Sequence, residues 1–213
     1  MNTLTNLANQ VKKGSLRGVS ELVMLALEEG FSAQEILDNG LMRGMNDLGV
    51  KFRDNVVFVP EVLNAAKAFN VGTAMLREEF TEEDLGILGT VVLATVEGDL
   101  HDLGKNIVKY MFEGVGLRVI DLGSNVSADK IVEAVKQHDP QIVALSALLT
   151  TTMLQLKVTI EAISDAGLRS GVKVVVGGAP ISKSFSQSIG ADYYFDDAAA
   201  AAKTMREVLS KTP

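Results

Sequence analysis

The chain has 213 residues, 47% of them hydrophobic, a formal net charge of −7 and no cysteine, which suits one large or two small apolar cores and excludes disulfides, thiolate metal sites and cysteine nucleophiles. Its 20 basic residues are scattered among 27 acids, which argues against nucleic acid, because phosphate binding needs clustered Lys and Arg. There is no signal-peptide pattern and no apolar run near the roughly 20 residues of a membrane span, so the expectation is a cytoplasmic protein with no membrane partner.

Residues 1–80 read as a four-helix bundle. Apolar side chains recur at three- and four-residue spacing over Leu4 to Val11 and Leu16 to Leu27, separated by Gly14-Ser15, and Gly30 ends the second run. Ser32 with Glu35 three residues later makes a capping box for a third helix through Ile36, Leu37, Leu41, Met45 and Leu48. Pro60 suits the first turn of a fourth, through Val62, Leu63, Ala66, Phe69 and Met75. Between the last two lies an apolar connection, Asn55 to Glu61, whose side chains are expected to staple the bundle core. Residues 81–86 are acidic, end in glycine and read as a linker.

From residue 87 to 213 strands alternate with helices. Expected strands are Ile87 to Ala94, Arg118 to Leu122, Ile142 to Ser146, Lys173 to Gly177 and Tyr193 to Phe195. Regular β-α alternation implies an α/β, doubly wound parallel sheet with right-handed crossovers, and at this length the flavodoxin-like (Rossmann-type) order 2-1-3-4-5. That order reverses chain direction between strands one and three. A ligand crevice is therefore expected between the loops that follow them, Glu97 to Gly104 and Ser146 to Thr152.

The first of these loops is Glu97-Gly98-Asp99-Leu100-His101-Asp102-Leu103-Gly104. Asp99 stands two residues before His101, a spacing that lets a carboxylate hold one imidazole nitrogen while the other faces a ligand. It equally allows Asp99 to cap the next helix and His101 to be an exposed loop residue. In the second loop, any of Thr150, Thr151 and Thr152 can serve as an N-cap. Gly177-Gly178 at the end of strand four reads as a turn, and His138 as a capping or solvated residue.

Asp99-x-His101-x-x-Gly104, with Ser146 and Gly177-Gly178 downstream, resembles the signature of cobalamin-binding domains in which a protein histidine replaces dimethylbenzimidazole beneath cobalt. The resemblance spans nearly the whole chain. It is nearest to the corrinoid proteins that serve methyltransferases for methylamines, methanol or methoxylated aromatics, and the α/β part is similar to the cobalamin-binding module of cobalamin-dependent methionine synthase.

The resemblance implies a methyl carrier, a non-autonomous corrinoid subunit with bound methylcobalamin held base-off and His-on. His101 would be the lower cobalt ligand, Asp99 its hydrogen-bond acceptor and Thr152 the hydroxyl that extends the relay. Gly98, Leu100, Asp102 and Gly104 would surround the ligand loop. Ser146, Leu148 and Thr150 would meet the nucleotide tail, Gly177 and Gly178 would line its channel, and Phe58 would lie over the upper corrin face. Implied partners are a substrate-specific methyltransferase, a second methyltransferase acting on tetrahydrofolate or a thiol coenzyme, and a reductive activator protein. Two alternatives within the same cofactor class are a cobalamin-binding sensor, for which the chain leaves no room for an output domain, and a mutase-type small subunit, which lacks the bundle.

Overall fold

The computed structural model describes residues 2–76 and 87–210. The expected linker, 81–86, and the end of the expected first domain, 77–80, lie outside the described residues.

The helical part begins with α1 (Thr3–Lys12), opened by the Asn2 side chain accepting from the Leu4 N–H, and α2 (Leu16–Glu28), capped by Ser15. The expected capping box is present: Ser32 and Glu35 satisfy each other's backbone N–H groups at the start of α3 (Ala33–Ile36). The chain then stays helical to Arg53, but not uniformly. Leu37–Met42 is wound as a π-helix before α4 (Arg43–Arg53). The apolar spacing through Ile36, Leu37, Leu41, Met45 and Leu48 reads as one regular helix, whereas the π turn closes its hydrogen bonds one residue further along the chain. The wider turn seats Gly40 against Leu7, where a Cβ would stand 2.5 Å from Leu7 Cδ2. α5 (Val59–Leu76) carries Pro60 in its first turn, and the Phe58 N–H donates to Glu61 at 3.1 Å.

The second part alternates β1 (Gly89–Thr95), α6 (Leu103–Glu113), β2 (Leu117–Asp121), α7 (Ala128–His138), β3 (Ile142–Ser146), α8 (Met153–Asp165), β4 (Lys173–Gly177), α9 (Lys183–Ser188), β5 (Tyr193–Tyr194) and α10 (Ala198–Ser210). All strand pairs are parallel and the order is β2-β1-β3-β4-β5, as expected. The register places Leu93, Ala144 and Val175 side by side across β1, β3 and β4. Two residues further on it aligns Thr95, Ser146 and Gly177.

Strands buried on both faces carry a core on each side. Val143, Leu145, Val174 and Val176 pack with α7 and α8 on one face. On the other, Leu93, Ala144 and Val175 join Met111 and Phe112 of α6 and Met205 of α10, and that cluster runs on into the helical part through Met45 and Leu48. The contact is close. A Cβ on Gly114 would stand 2.8 Å from Met45 Cβ, and one on Gly49 only 3.3 Å from Ala199 Cβ. The helical part is thus seated on α6 and α10, beside the carboxyl ends of the strands.

One charge in this packing is poorly served. Burial pushes the Glu113 carboxyl up, Asp121 adds to the rise, and Lys109 only partly opposes it. The Glu113 Oε2 is buried without a hydrogen-bond partner among the described residues. A carboxyl that ionises less readily folded than unfolded weakens the fold as pH rises from the unfolded value, about 4.3, through its folded value. Glu113→Gln should therefore raise the melting temperature at pH 8 and lose that advantage at pH 4, as read by circular dichroism.

Candidate functional site

The loop after β1 is stitched in place before any functional group is considered. Gly98 turns with φ +79° and its N–H donates to Asn125 Oδ1 at 2.8 Å, while the Asn125 N–H returns to the Asp99 carbonyl at 2.9 Å. The Thr95 hydroxyl donates to the His101 carbonyl at 3.0 Å. These bonds tie the loop to the one after β2 and leave little freedom for Asp99.

Asp99 is fully buried and meets only donors. Its Oδ1 accepts from His101 Nδ1 at 2.7 Å and from the His101 N–H at 3.1 Å. Its Oδ2 accepts from the Leu148 N–H at 2.7 Å, the Leu149 N–H at 3.2 Å and the Thr152 hydroxyl at 2.8 Å. Burial alone would push this carboxyl up. The bonds from Leu148, His101 and Thr152 outweigh it and hold Asp99 well below the usual carboxylate range. An ionised acceptor at 2.7 Å places the imidazole proton on Nδ1, which leaves Nε2 as the free lone pair of the neutral ring. That nitrogen makes no hydrogen bond among the described residues, and the His101 side chain is half exposed.

Thr152 occupies the N-cap position of α8 but makes no capping bond. Its hydroxyl faces Asp99 instead. The capping alternative for Asp99 also fails, since α6 starts after Asp102 and Asp99 binds across to the β3–α8 loop.

Beside His101 opens a cavity of about 520 Å³ between the carboxyl ends of β1, β3 and β4, α6, α10 and the end of α4. Its lining includes Gly104, Ser146, Leu148, Gly177 and Gly178 from the sequence expectation. Gly178 has φ +136°, and a Cβ there would lie 1.9 Å from the Ala147 carbonyl oxygen, so only glycine fits that strand end. Leu100, Asp102, Thr150 and Phe58 do not line the cavity: Leu100 is 74% exposed, Phe58 63%, Thr150 is exposed and Asp102 accepts from the Asn106 amide. On the loops that carry Asp99 and its partners, Leu100, Leu103, Leu148 and Leu149 are exposed apolar side chains, and Leu148 also lines the cavity.

Four contributors escape sequence reasoning. Phe52 and Asn55, from the end of α4 and the residues just after it, close the cavity from above, and helical periodicity gives no sign of a second contact. Asn125 has a left-handed backbone, φ +55°, which its place in a Ser-Asn turn hints at. Lys105 is 2% exposed, with Nζ 2.6 Å from Asp121 Oδ1 and 2.8 Å from Asn106 Oδ1, fixing the first turn of α6 to the end of β2. A lysine after Gly104 gives no hint that it is buried.

Residues 89–204 match the model of a B12 binding domain, and residues 3–77 match a second B12 binding domain model. The chain belongs to the B12-binding corrinoid protein family. It is 39% identical over 192 residues to trimethylamine corrinoid protein 1 of Methanosarcina acetivorans, covering 89% of each chain. To the dimethylamine corrinoid protein of Methanosarcina barkeri it is 39% identical over 200 residues, covering 93% of this chain and 92% of that one. Among solved structures it is similar to the methanol:cobalamin methyltransferase complex MtaBC of Methanosarcina barkeri, with a TM-score of 0.88 at 29% identity over 99% of this chain and 80% of that one. Among the described residues no helix is long and apolar enough to cross a membrane.

The donor set suits a corrinoid. An imidazole oriented by a carboxylate offers its free nitrogen at the edge of a roomy cavity lined largely by apolar side chains. Thr152→Val removes one donor from a buried carboxylate and should cost about 1–3 kcal/mol in urea unfolding. Because a depressed Asp99 stabilises the fold above its unfolded value, about 3.9, and loses that contribution as pH falls, the variant should also begin acid unfolding at higher pH than wild type.

Proposed function

We propose that this protein is a corrinoid methyl carrier in which His101 binds cobalt from below and the cofactor's own base is displaced. The observation that carries this reading is the Asp99–His101 pair, with Nδ1 held at 2.7 Å and Nε2 left open beside the cavity. A bound corrinoid supplies a cobalt that accepts and gives up a methyl group. The chain's own residues orient, shield and balance charge. Asp99 fixes the imidazole tautomer and strengthens it as a donor, and Thr152 holds the far carboxylate oxygen in place. Should the imidazole leave its ligand, it can take a proton on Nε2 and stay paired with Asp99, so His101 keeps its position in either state.

The exposed apolar side chains Leu100, Leu103, Leu148 and Leu149 suit the edge of a macrocycle, with Asp102 and Thr150 as exposed polar groups in the same loops. Phe58, exposed in the connection between α4 and α5, suits the opposite face of the corrin, where it would keep water from the methyl group. Residues 1–80 act as a cap and 87–213 as the corrinoid-binding part, with 81–86 linking the two in sequence.

Relatives are named for trimethylamine and dimethylamine, and the similar solved complex is a methanol:cobalamin methyltransferase. Carried over, one partner is a methyltransferase that loads the carrier from a small methylated substrate. A second passes the methyl to a tetrahydrofolate or thiol acceptor, and a reductive activator restores oxidised cofactor.

Anaerobic reconstitution with hydroxocobalamin, followed by EPR of the Co(II) form, tests the central ligand. Wild type should show coupling to a protein imidazole nitrogen that disappears, or changes to the cofactor's own base, in His101→Ala. Identical spectra for the two proteins would sink His101 as ligand. For the cap, Phe58→Ala should retain corrinoid but speed air oxidation of its reduced form; an unchanged rate would remove Phe58 from the shielding role.

A further inference from the structure

Between Asp99 and Lys105 every residue is exposed, His101 among them. The two residues that bracket this segment are buried and oppositely charged: Asp99 is 0% exposed and Lys105 2%. A buried side chain at a helix start is ordinarily apolar, since an ion leaves water only at high cost unless it is paired. The cation is doubly misplaced, because Lys105 lies in the first turn of α6, at the positive end of the helix dipole.

Its partners show what the charge does there. Lys105 Nζ donates to Asp121 Oδ1 at 2.6 Å and to Asn106 Oδ1 at 2.8 Å. Asp121 ends β2, and the same carboxylate oxygen accepts from the Gly123 N–H at 2.9 Å, with Lys109 Nζ 3.7 Å from the other oxygen. Burial pushes the Asp121 carboxyl up; the bonds from Lys105 and Gly123 outweigh it and hold the group below its ordinary value, so the pair is ionic. Asn106 carries the chain of bonds back toward the histidine. Its side-chain amide donates to Asp102 Oδ2 at 3.2 Å and its N–H to the Asp102 carbonyl at 2.8 Å. Asp102 directly follows His101. The loop after β2 thus holds the His101 segment on both sides, through Asn125 at Gly98 and through Asp121 at Lys105.

Resting on the corrinoid reading above, we infer that Lys105 is a positioning residue for His101. Through Asp121 and Asn106 it fixes the downstream end of the segment as Asp99 fixes the upstream end, and Nε2 stays turned toward the cavity. An apolar residue would fill the same space without doing this, because the hydrophobic effect has no direction and a hydrogen-bonded ion pair does. Without Lys105, the His101 backbone is held only by its N–H on Asp99 and by the Thr95 hydroxyl on its carbonyl.

The chain has two histidines, and His138, the last residue of α7, serves as internal reference. Nitrogen–proton correlation spectra of the imidazoles in the apo full-length protein, at alkaline pH where the rings are neutral, read the tautomer and exchange of His101 without any cofactor. Wild type should show a single Nδ1–H tautomer free of exchange broadening. Lys105→Met, neutral and similar in length, should broaden the His101 signals and mix the tautomers while His138 stays unchanged. Asp121→Asn should act in the same direction, and it decides the matter if Lys105→Met does not fold. Aquocobinamide, which brings no base of its own, reads the consequence: Lys105→Met should bind it about tenfold more weakly than wild type, the lower end of the effect expected of residues that orient a metal ligand. A lowered melting temperature with an unchanged His101 spectrum would make the ion pair structural only and overturn the inference. Weaker cobinamide binding with an unchanged spectrum would place Lys105 against the ligand and overturn it equally. So would a Lys105→Met effect on the spectrum that Asp121→Asn does not share. Failure of wild type to bind cobinamide would instead overturn the corrinoid reading, and the His101 spectra would still decide the positioning.

Discussion

A buried carboxylate that meets five donors and no acceptor is the constraint on which the rest of this site depends. Asp99 is 0% exposed, and an ionised group in that position is tolerable only if every lone pair is engaged. The donors come from two loops about fifty residues apart in sequence. Satisfying the charge therefore draws the loop after β1 and the loop after β3 together at the point where the strand order reverses. The imidazole is one of the donors, so the bond that stabilises the charge also sets the tautomer and direction of His101. Structural stability and ligand presentation rest on the same few hydrogen bonds.

The sheet supplies the second half of the arrangement. Parallel strands in register stack their side chains in rows, so a row of apolar residues below a row of polar ones appears wherever neighbouring strands change character at the same level. Here that change falls at the carboxyl ends of β1, β3 and β4, where the cavity opens. Gly178 allows the chain to pass against the Ala147 carbonyl at the edge of this cavity. The helical part adds a roof because its core continues into α6 and α10. Its contact through Gly114 and Met45 is that of a packed interior.

Much of this was legible in the sequence. The alternation of strands and helices determined the parallel sheet and its order, because right-handed crossovers of this length leave few other topologies. The spacing of Asp99 and His101, and the position of Ser146 to Thr152 after the third strand, placed both loops at the reversal point. The helix boundaries at Ser32 and Pro60 were marked by local capping chemistry, which needs no distant partner.

The remainder was decided by contacts between segments far apart in the chain. That Thr152 turns from its capping position to Asp99, that Lys105 is buried against Asp121, and that Phe52 and Asn55 close the cavity are consequences of packing. Local periodicity reports which face of an element is apolar, not what that face meets. The π turn at Leu37–Met42 is of the same kind, and within it Gly40 sits close on Leu7. The sequence alone thus determined the elements, their order and the loops that hold the chemistry, because these follow from nearest-neighbour preferences and chain connectivity. Only the tertiary structure decided the hydrogen-bond direction at His101, the lining of the cavity and the identity of its roof, because each depends on groups that become neighbours only when the chain folds.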